Sequence, residues 1–128
     1  MIELIPQPTV LEAAGTPPKT ISEFVGKLTT GSATVSIAVM DSPSGWAEPG
    51  QRPDFDEYTV VLEGEVHIDT EPGPIAVAAG QAARAPAGEW VRYSTPGAGG
   101  ARYVAVCVPA FSPDAVNRDD EADPVSSA

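Results

Sequence analysis

Glu57-Tyr58-Thr59-Val60-Val61-Leu62-Glu63-Gly64-Glu65, continuing as Val66-His67-Ile68-Asp69-Thr70, is the stretch on which the fold turns. On both sides of Glu63-Gly64, apolar and β-branched residues alternate with polar ones, the pattern of strands that each show one face to a core. Glu63-Gly64 itself reads as a hairpin-like turn, because glycine reaches backbone angles closed to other residues. Working outward, Ala33 to Asp41 predicts a strand upstream, followed by a polar, proline-rich passage from Ser42 to Asp56. Ile75 to Ala79, Gln81 to Ala85, Trp90 to Thr95 and Ala101 to Val108 predict strands downstream, separated by Gly- and Pro-containing turns. β-Rich runs punctuated about every eight to twelve residues indicate a sandwich or barrel. The fourteen prolines and twelve glycines are scattered, which suits short strands and tight turns better than long helices. One short helical turn is expected at Ser112-Pro113-Asp114. Before Thr20, Pro6, Pro8, Pro17 and Pro18 forbid a helix through much of the chain and predict an extended arm, paired with a sheet edge of this subunit or a neighbour's.

At 128 residues the chain fits one domain, expected over residues 1–118, with residues 119–128 as an acidic flexible tail. Eighteen acidic against seven basic residues give a net charge of −11, which repels phosphate backbones and anionic lipid. Neither nucleic acid nor membrane is therefore an expected partner. Met1 to Gln7 carry no basic stretch followed by an apolar one, so a cytoplasmic location is expected. Cys107 lies in an apolar strand and reads as a buried, inert thiol. The single histidine, His67, alternates with apolar neighbours and is expected to face solvent on its strand.

Two segments resemble a known family. Glu57, six intervening residues and Gly64 are similar to the end of the first cupin motif, and Gly80 with Pro86-Ala87-Gly88 is similar to the opening of the second. The resemblance covers roughly Ser32 to Val108 and implies an all-β cupin fold, a double-stranded β-helix or jelly-roll barrel of the RmlC-like kind. Here it carries an extended N-terminal arm. Gly45-Trp46, Asp56-Glu57, Val61-Leu62-Glu63-Gly64-Glu65 and Tyr93-Ser94-Thr95 look closest to the histidine-poor ethanolamine-utilisation EutQ-like group. The resemblance, together with the arm, implies a homodimer. Metal-binding cupins use two histidines and a glutamate from the first motif and a histidine from the second. Those positions fall here on Gly50 and Arg52, or Gln51 and Pro53, then Glu57 and Val91, so only the glutamate remains. No metal and no cofactor is expected. Glu57, Gln51 and Glu48 would make an oxygen-rich site, weak for transition metals, and a metal-dependent cupin of that kind is the last alternative.

If Glu57 points into the barrel, alternation places Thr59 and Val61 inside with it, and Val91 and Tyr93 also point inward. Glu48 and Gln51 lie in the loop approaching Glu57. Trp46 and Trp90 either wall the same space or sit on an outer face. The expected site is an apolar cavity holding a carboxylate, a phenol and an amide, which suits a small organic metabolite. Glu57 is the candidate general base and Tyr93 the proton donor of a cofactor-independent lyase, isomerase or cyclase. A non-catalytic metabolite-binding or accessory protein is the alternative.

Overall fold

The computed structural model describes residues 1–13, 15 and 17–119. Its elements are β1 (Thr9–Ala13), β2 (Lys19–Val25), β3 (Ser36–Ser42), β4 (Trp46–Ala47), β5 (Asp56–Thr70), β6 (Pro74–Ala78), β7 (Ala82–Ala85), β8 (Val91–Thr95), β9 (Ala101–Val108) and a 3₁₀ turn, Pro113–Ala115. All pairings between these strands are antiparallel, in the order β1-β2-β3-β9-β5-β8-β4, with β6 and β7 also on β5. The expected acidic tail falls outside the described residues from position 120 onward. Asp119, assigned to it, is tied down: its amide donates to Gly50 O at 2.9 Å, and its carboxylate accepts from Trp90 Nε1 at 2.9 Å.

β5 is the pivot. Its first half pairs with β9 and β7, and its second half with β6 and β8, so one strand belongs to both walls of the barrel. Glu63-Gly64 is therefore not the expected turn between two strands. The strand runs through it, with a register shift against β9 between Val61 and Glu63. Gly64 has φ +76°, and a Cβ there would run into the Gly100 carbonyl. The bulge bends the strand from one sheet into the other, and only glycine fits against the neighbouring backbone. Gly80 sits against the same bend, its amide donating to Val61 O at 2.9 Å, while Ala79 N donates to Gly64 O at 3.1 Å.

Along β9, Ala101, Tyr103, Ala105 and Cys107 are buried and their neighbours are not, the alternation of a strand with one face on the core. Trp46, Val61, Val66, Ile68, Val77, Val91, Tyr93 and Tyr103 interlock with Ala101 as the main core. Each large apolar side chain buried this way contributes about 1.5–3 kcal/mol. A smaller cluster joins Phe55, Cys107 and Val116. The N-terminal arm forms a hairpin, β1 on β2, and β2 pairs with β3 of the same chain.

Gly64→Ala should destabilise the fold by at least about 2 kcal/mol, from positive-φ strain plus the backbone clash. Gly97→Ala, which meets nothing within 4 Å, should stay within about 0.5 kcal/mol of the parent. Urea melts of the two variants check this; equal midpoints would show that the bend tolerates a side chain.

Candidate functional site

The cavity lies between the N-terminal hairpin and the sheet formed by β3, β9 and β5. Its volume is about 110 Å³. β2 turns Lys19, Ile21 and Glu23 toward it at every second position, and β3 contributes Ser36, Ala38 and Met40. Ala105 and Cys107 of β9 and Glu57 of β5 close the far wall, with Glu57 and Cys107 directly paired across the strands. Glu48, Gln51 and Phe55 enter from the passage between β4 and β5.

That passage is held rigidly. Gln51 exchanges two backbone hydrogen bonds with Val91, both 2.9 Å, and Glu48 N donates to Tyr93 O at 3.3 Å. The C-terminal segment clasps it from outside: Arg52 N donates to Asn117 O at 3.2 Å and Asp54 N to Ala115 O at 2.8 Å. Gln51 is 4% exposed, and its Oε1 is buried with no hydrogen-bond partner among the described residues. An unmet buried acceptor costs about 1–3 kcal/mol, so its presence at a cavity wall marks a place for an incoming donor.

Lys19 carries the electrostatics. Its Nζ lies 3.8 Å from Glu48 Oε1 and 4.4 Å from the centroid of the Trp46 ring, and the residue is 8% exposed. Burial opposes its charge, but Glu48, Tyr103 and Glu57 outweigh that and hold its pKa above the ordinary lysine value. The amine is therefore a fixed cation and hydrogen-bond donor, not a nucleophile. Glu57 has the opposite problem. Burial and the nearby Glu48 charge raise its pKa, Lys19 only partly offsets them, and it comes to about 7. A carboxyl balanced there at neutral pH can both take and give a proton.

Of the residues singled out in the sequence, Glu57, Glu48 and Gln51 come together at this cavity. Val61, Val91, Tyr93 and Trp46 do not line it: they point inward but pack into the main core, and Thr59 is fully buried. The correction has a simple cause. Alternation says which face a residue takes, while the taper of the barrel decides whether that level is filled or hollow. Tyr93, the expected proton donor, packs in the main core and does not border the cavity; burial, with Glu57 and Glu48 nearby, pushes its phenol well above the ordinary value. Cys107 is buried and its thiol is likewise pushed up, chiefly by burial and next by Glu57. His67 lies away from the cavity on β5, 2.7 Å from Glu65 Oε1. Lys19 went unnoticed in the sequence because it stands in the proline-flanked arm; the inward spacing of Lys19, Ile21 and Glu23 was the available signal.

The donors fit a transition metal poorly. No group of three His, Cys, Asp or Glu side chains converges among the described residues. The second-motif position, Val91, is apolar core, and the Lys19 ammonium already holds the Glu48 side of the site.

No family model matches the chain. It is similar to solved structures of small cupins. An RmlC-like cupin from Shewanella frigidimarina superposes with a TM-score of 0.68 at 14% identity, over 86% of this chain and 91% of that one. A predicted oxalate decarboxylase from Thermotoga maritima gives 0.70 at 17% identity, over 85% and 99%. The EutQ protein of Clostridium difficile gives 0.60 at 16%, over 81% and 69%. The fold is thus the cupin fold, and the chain is a small cupin in architecture that resembles the EutQ proteins. Among curated proteins it is 45% identical over 96 residues to the endoribonuclease YbeY of Myxococcus xanthus. That match takes in 75% of this chain but 33% of the other, so the chain spans about a third of that relative's length.

Because the Glu57 pKa is raised from 4.5 to about 7, the folded state binds the extra proton between those values, and stability falls as pH rises through that window. Glu57→Gln, which mimics the protonated form, should match the parent near pH 4 and exceed it by about 3 kcal/mol near pH 8. Thermal melts across that range check the sign. A difference that does not vary with pH would mean the acid titrates normally.

Proposed function

We propose that this chain is a small-molecule-binding cupin whose cavity performs cofactor-independent acid/base chemistry of the lyase, isomerase or cyclase kind, in the cytoplasm. Glu57 is the proton-transfer group, Lys19 the fixed positive charge beside it, and Gln51 and Glu48 orient the ligand. One observation carries this reading: a cavity-facing carboxyl with a pKa near neutrality shares a single buried ammonium with a second carboxylate. Structural carboxylates are treated differently in the same molecule. Glu23 also borders the cavity, yet its Oε2 accepts from Leu28 N at 3.1 Å, Thr29 N at 2.9 Å and Thr29 Oγ1 at 2.9 Å, which satisfies it in place.

A second reading draws on the Myxococcus xanthus relative. There the related stretch makes up a third of a protein named for RNA cleavage. A metabolite-binding accessory module, whose occupancy tunes a catalytic partner, accounts for that arrangement. The charge of −11 and the exposed position of the only histidine favour the accessory role over direct contact with RNA.

A ligand-observed NMR screen of polar metabolites with roughly four to seven non-hydrogen atoms tests the shared premise. Binders of the parent should weaken at least about tenfold in Gln51→Leu, which removes the unmet acceptor while keeping the side chain's bulk. Binders indifferent to Gln51 would place the ligand elsewhere.

The homodimer rests on the outer face of the sheet. Tyr58, Val60, Leu62 and Val108 are each at least 40% exposed, and β9 sets Val106 beside Tyr58 and Val104 beside Val60. A contiguous apolar sheet face of this kind marks an association surface. Sedimentation at micromolar concentration should give a dimer and Val60→Glu a monomer. A parent that sediments as a monomer overturns the assignment.

A further inference from the structure

The charge pattern of the cavity restricts what it can take. Arg118 borders the cavity only as an exposed residue, so an anion bound inside would have to reach Lys19, displace Glu48, 3.8 Å from the ammonium, and settle beside Glu57. A cation would meet the ammonium itself. A neutral polar molecule meets neither penalty. Its size is set by the volume of about 110 Å³. At roughly 30 Å³ per water in the liquid, that is the space of about four waters, or a molecule of roughly four to seven non-hydrogen atoms. Its chemistry is set by what the walls leave unmet. Lys19 offers N–H donors, so the ligand brings an acceptor. Gln51 Oε1 is a buried acceptor without a donor, so the ligand brings a hydroxyl. Ile21, Ala38 and Met40 cover the remaining side with apolar surface, which suits a short carbon chain.

Resting on the acid/base reading above, we infer that the substrate class is a small neutral hydroxylated aldehyde or ketone, enolised by Glu57 with Lys19 receiving the developing charge on the carbonyl oxygen. The step balances within the site. Glu57 as carboxylate takes the proton from the carbon next to the carbonyl, the C–H electron pair becomes the C=C bond, and the carbonyl π pair moves to oxygen beside the Lys19 ammonium. Once the proton on Glu57 has exchanged with solvent, its return to the same carbon gives exchange; when the substrate's hydroxyl proton has first passed to the enolate oxygen, delivery to the former carbonyl carbon gives the isomer. No oxidant or co-reactant takes part. A donor held in a water-poor site before the charge develops is the arrangement that stabilises an enolate most. Lys19 is thereby a catalytic residue, positioned from β2.

Proton NMR in D₂O with hydroxyacetone, 2-butanone and pyruvate as probes tests this. The parent should speed α-proton exchange of hydroxyacetone over buffer, with 2-butanone slower for want of the hydroxyl and pyruvate at the buffer rate. Glu57→Gln and Lys19→Met should each lose about 100-fold or more. Lys19→Arg keeps the charge but moves it, and should lose a similar amount; it serves as the second variant should Lys19→Met fail to melt cooperatively. If neither neutral probe exchanges faster than in buffer while Glu57 still titrates near 7, the substrate class is wrong and the acid/base reading stands. Full exchange in both Lys19 variants removes Lys19 from the step, and pyruvate turning over as fast as hydroxyacetone refutes selection by charge. A Glu57 that titrates in the ordinary carboxyl range takes down the underlying reading as well.

Discussion

An ammonium withdrawn from water has to be compensated where it lies, and much of the interior is arranged around doing so for Lys19. The Glu48 carboxylate at 3.8 Å contributes roughly 4 kcal/mol at an effective dielectric near 20. The Trp46 face at 4.4 Å adds about 2 kcal/mol for a desolvated cation. Those gains are of the same order as the several kcal/mol that burial costs each ion, so the arrangement holds only while all members stay in place. The consequence reaches well beyond one pair. β2 must keep Lys19 inward, which fixes the register of β2 on β3 and carries β1 with it, and the two strands then close one side of the cavity. Trp46, fully buried, anchors β4 against β8 and so sets where Glu48 begins. The proline-flanked arm is thus a wall of the barrel.

The same compensation explains why Glu57 is left unsettled. One cation between two carboxylates neutralises one of them. Glu48 takes the ion pair, and Glu57, deprived of solvent and facing a like charge, holds its proton up to about pH 7. The molecule shows what a settled carboxylate looks like at Glu23, where the loop after β2 folds back to supply two amides and a hydroxyl. Gly26 belongs to that loop and keeps space free beside the Glu23 carboxylate that a Cβ would occupy. Nothing comparable among the described residues reaches Glu57. Poise in the one and satisfaction in the other come from the number of donors each is given.

Most of the strand series was legible because period-two alternation and glycine or proline punctuation are local signals, and β3 and β5 to β9 each fall within a residue or a few of the segments read from sequence. The misreading at Glu63-Gly64 is instructive. A glycine that permits a turn also permits a bend, and what separates the two here is the Gly100 carbonyl, which lies far along the chain. The site was legible in part for a related reason. The family pattern points at Glu57, and the loop before it contains Glu48 and Gln51. That Tyr93, Val61 and Val91 are packing and not lining depends on how tightly β5, β8 and β9 close at that level, a property of the assembled barrel. Lys19 was hidden most deeply, since its role exists only once an arm with no motif of its own has folded across the sheet.

The same division separates architecture from chemistry within this chain. The barrel, whose fold is shared with solved structures at 14–17% identity, rests here on a few backbone constraints: the bend at Gly64, the turn at Gly80 locked against it, and inward alternation along β9. The groups that define the cavity obey none of those constraints. Lys19 comes from the arm, Glu48 and Gln51 from the passage before β5, and only Glu57 from a motif position. The barrel can therefore hold a buried cation at this level without altering a strand, provided the cation comes with a carboxylate partner and an aromatic face. In that arrangement the positive charge is covalently part of the chain. Glu48, Tyr103 and Glu57 hold its ionised form against burial, and beside it stands a carboxyl whose pKa is raised to about 7.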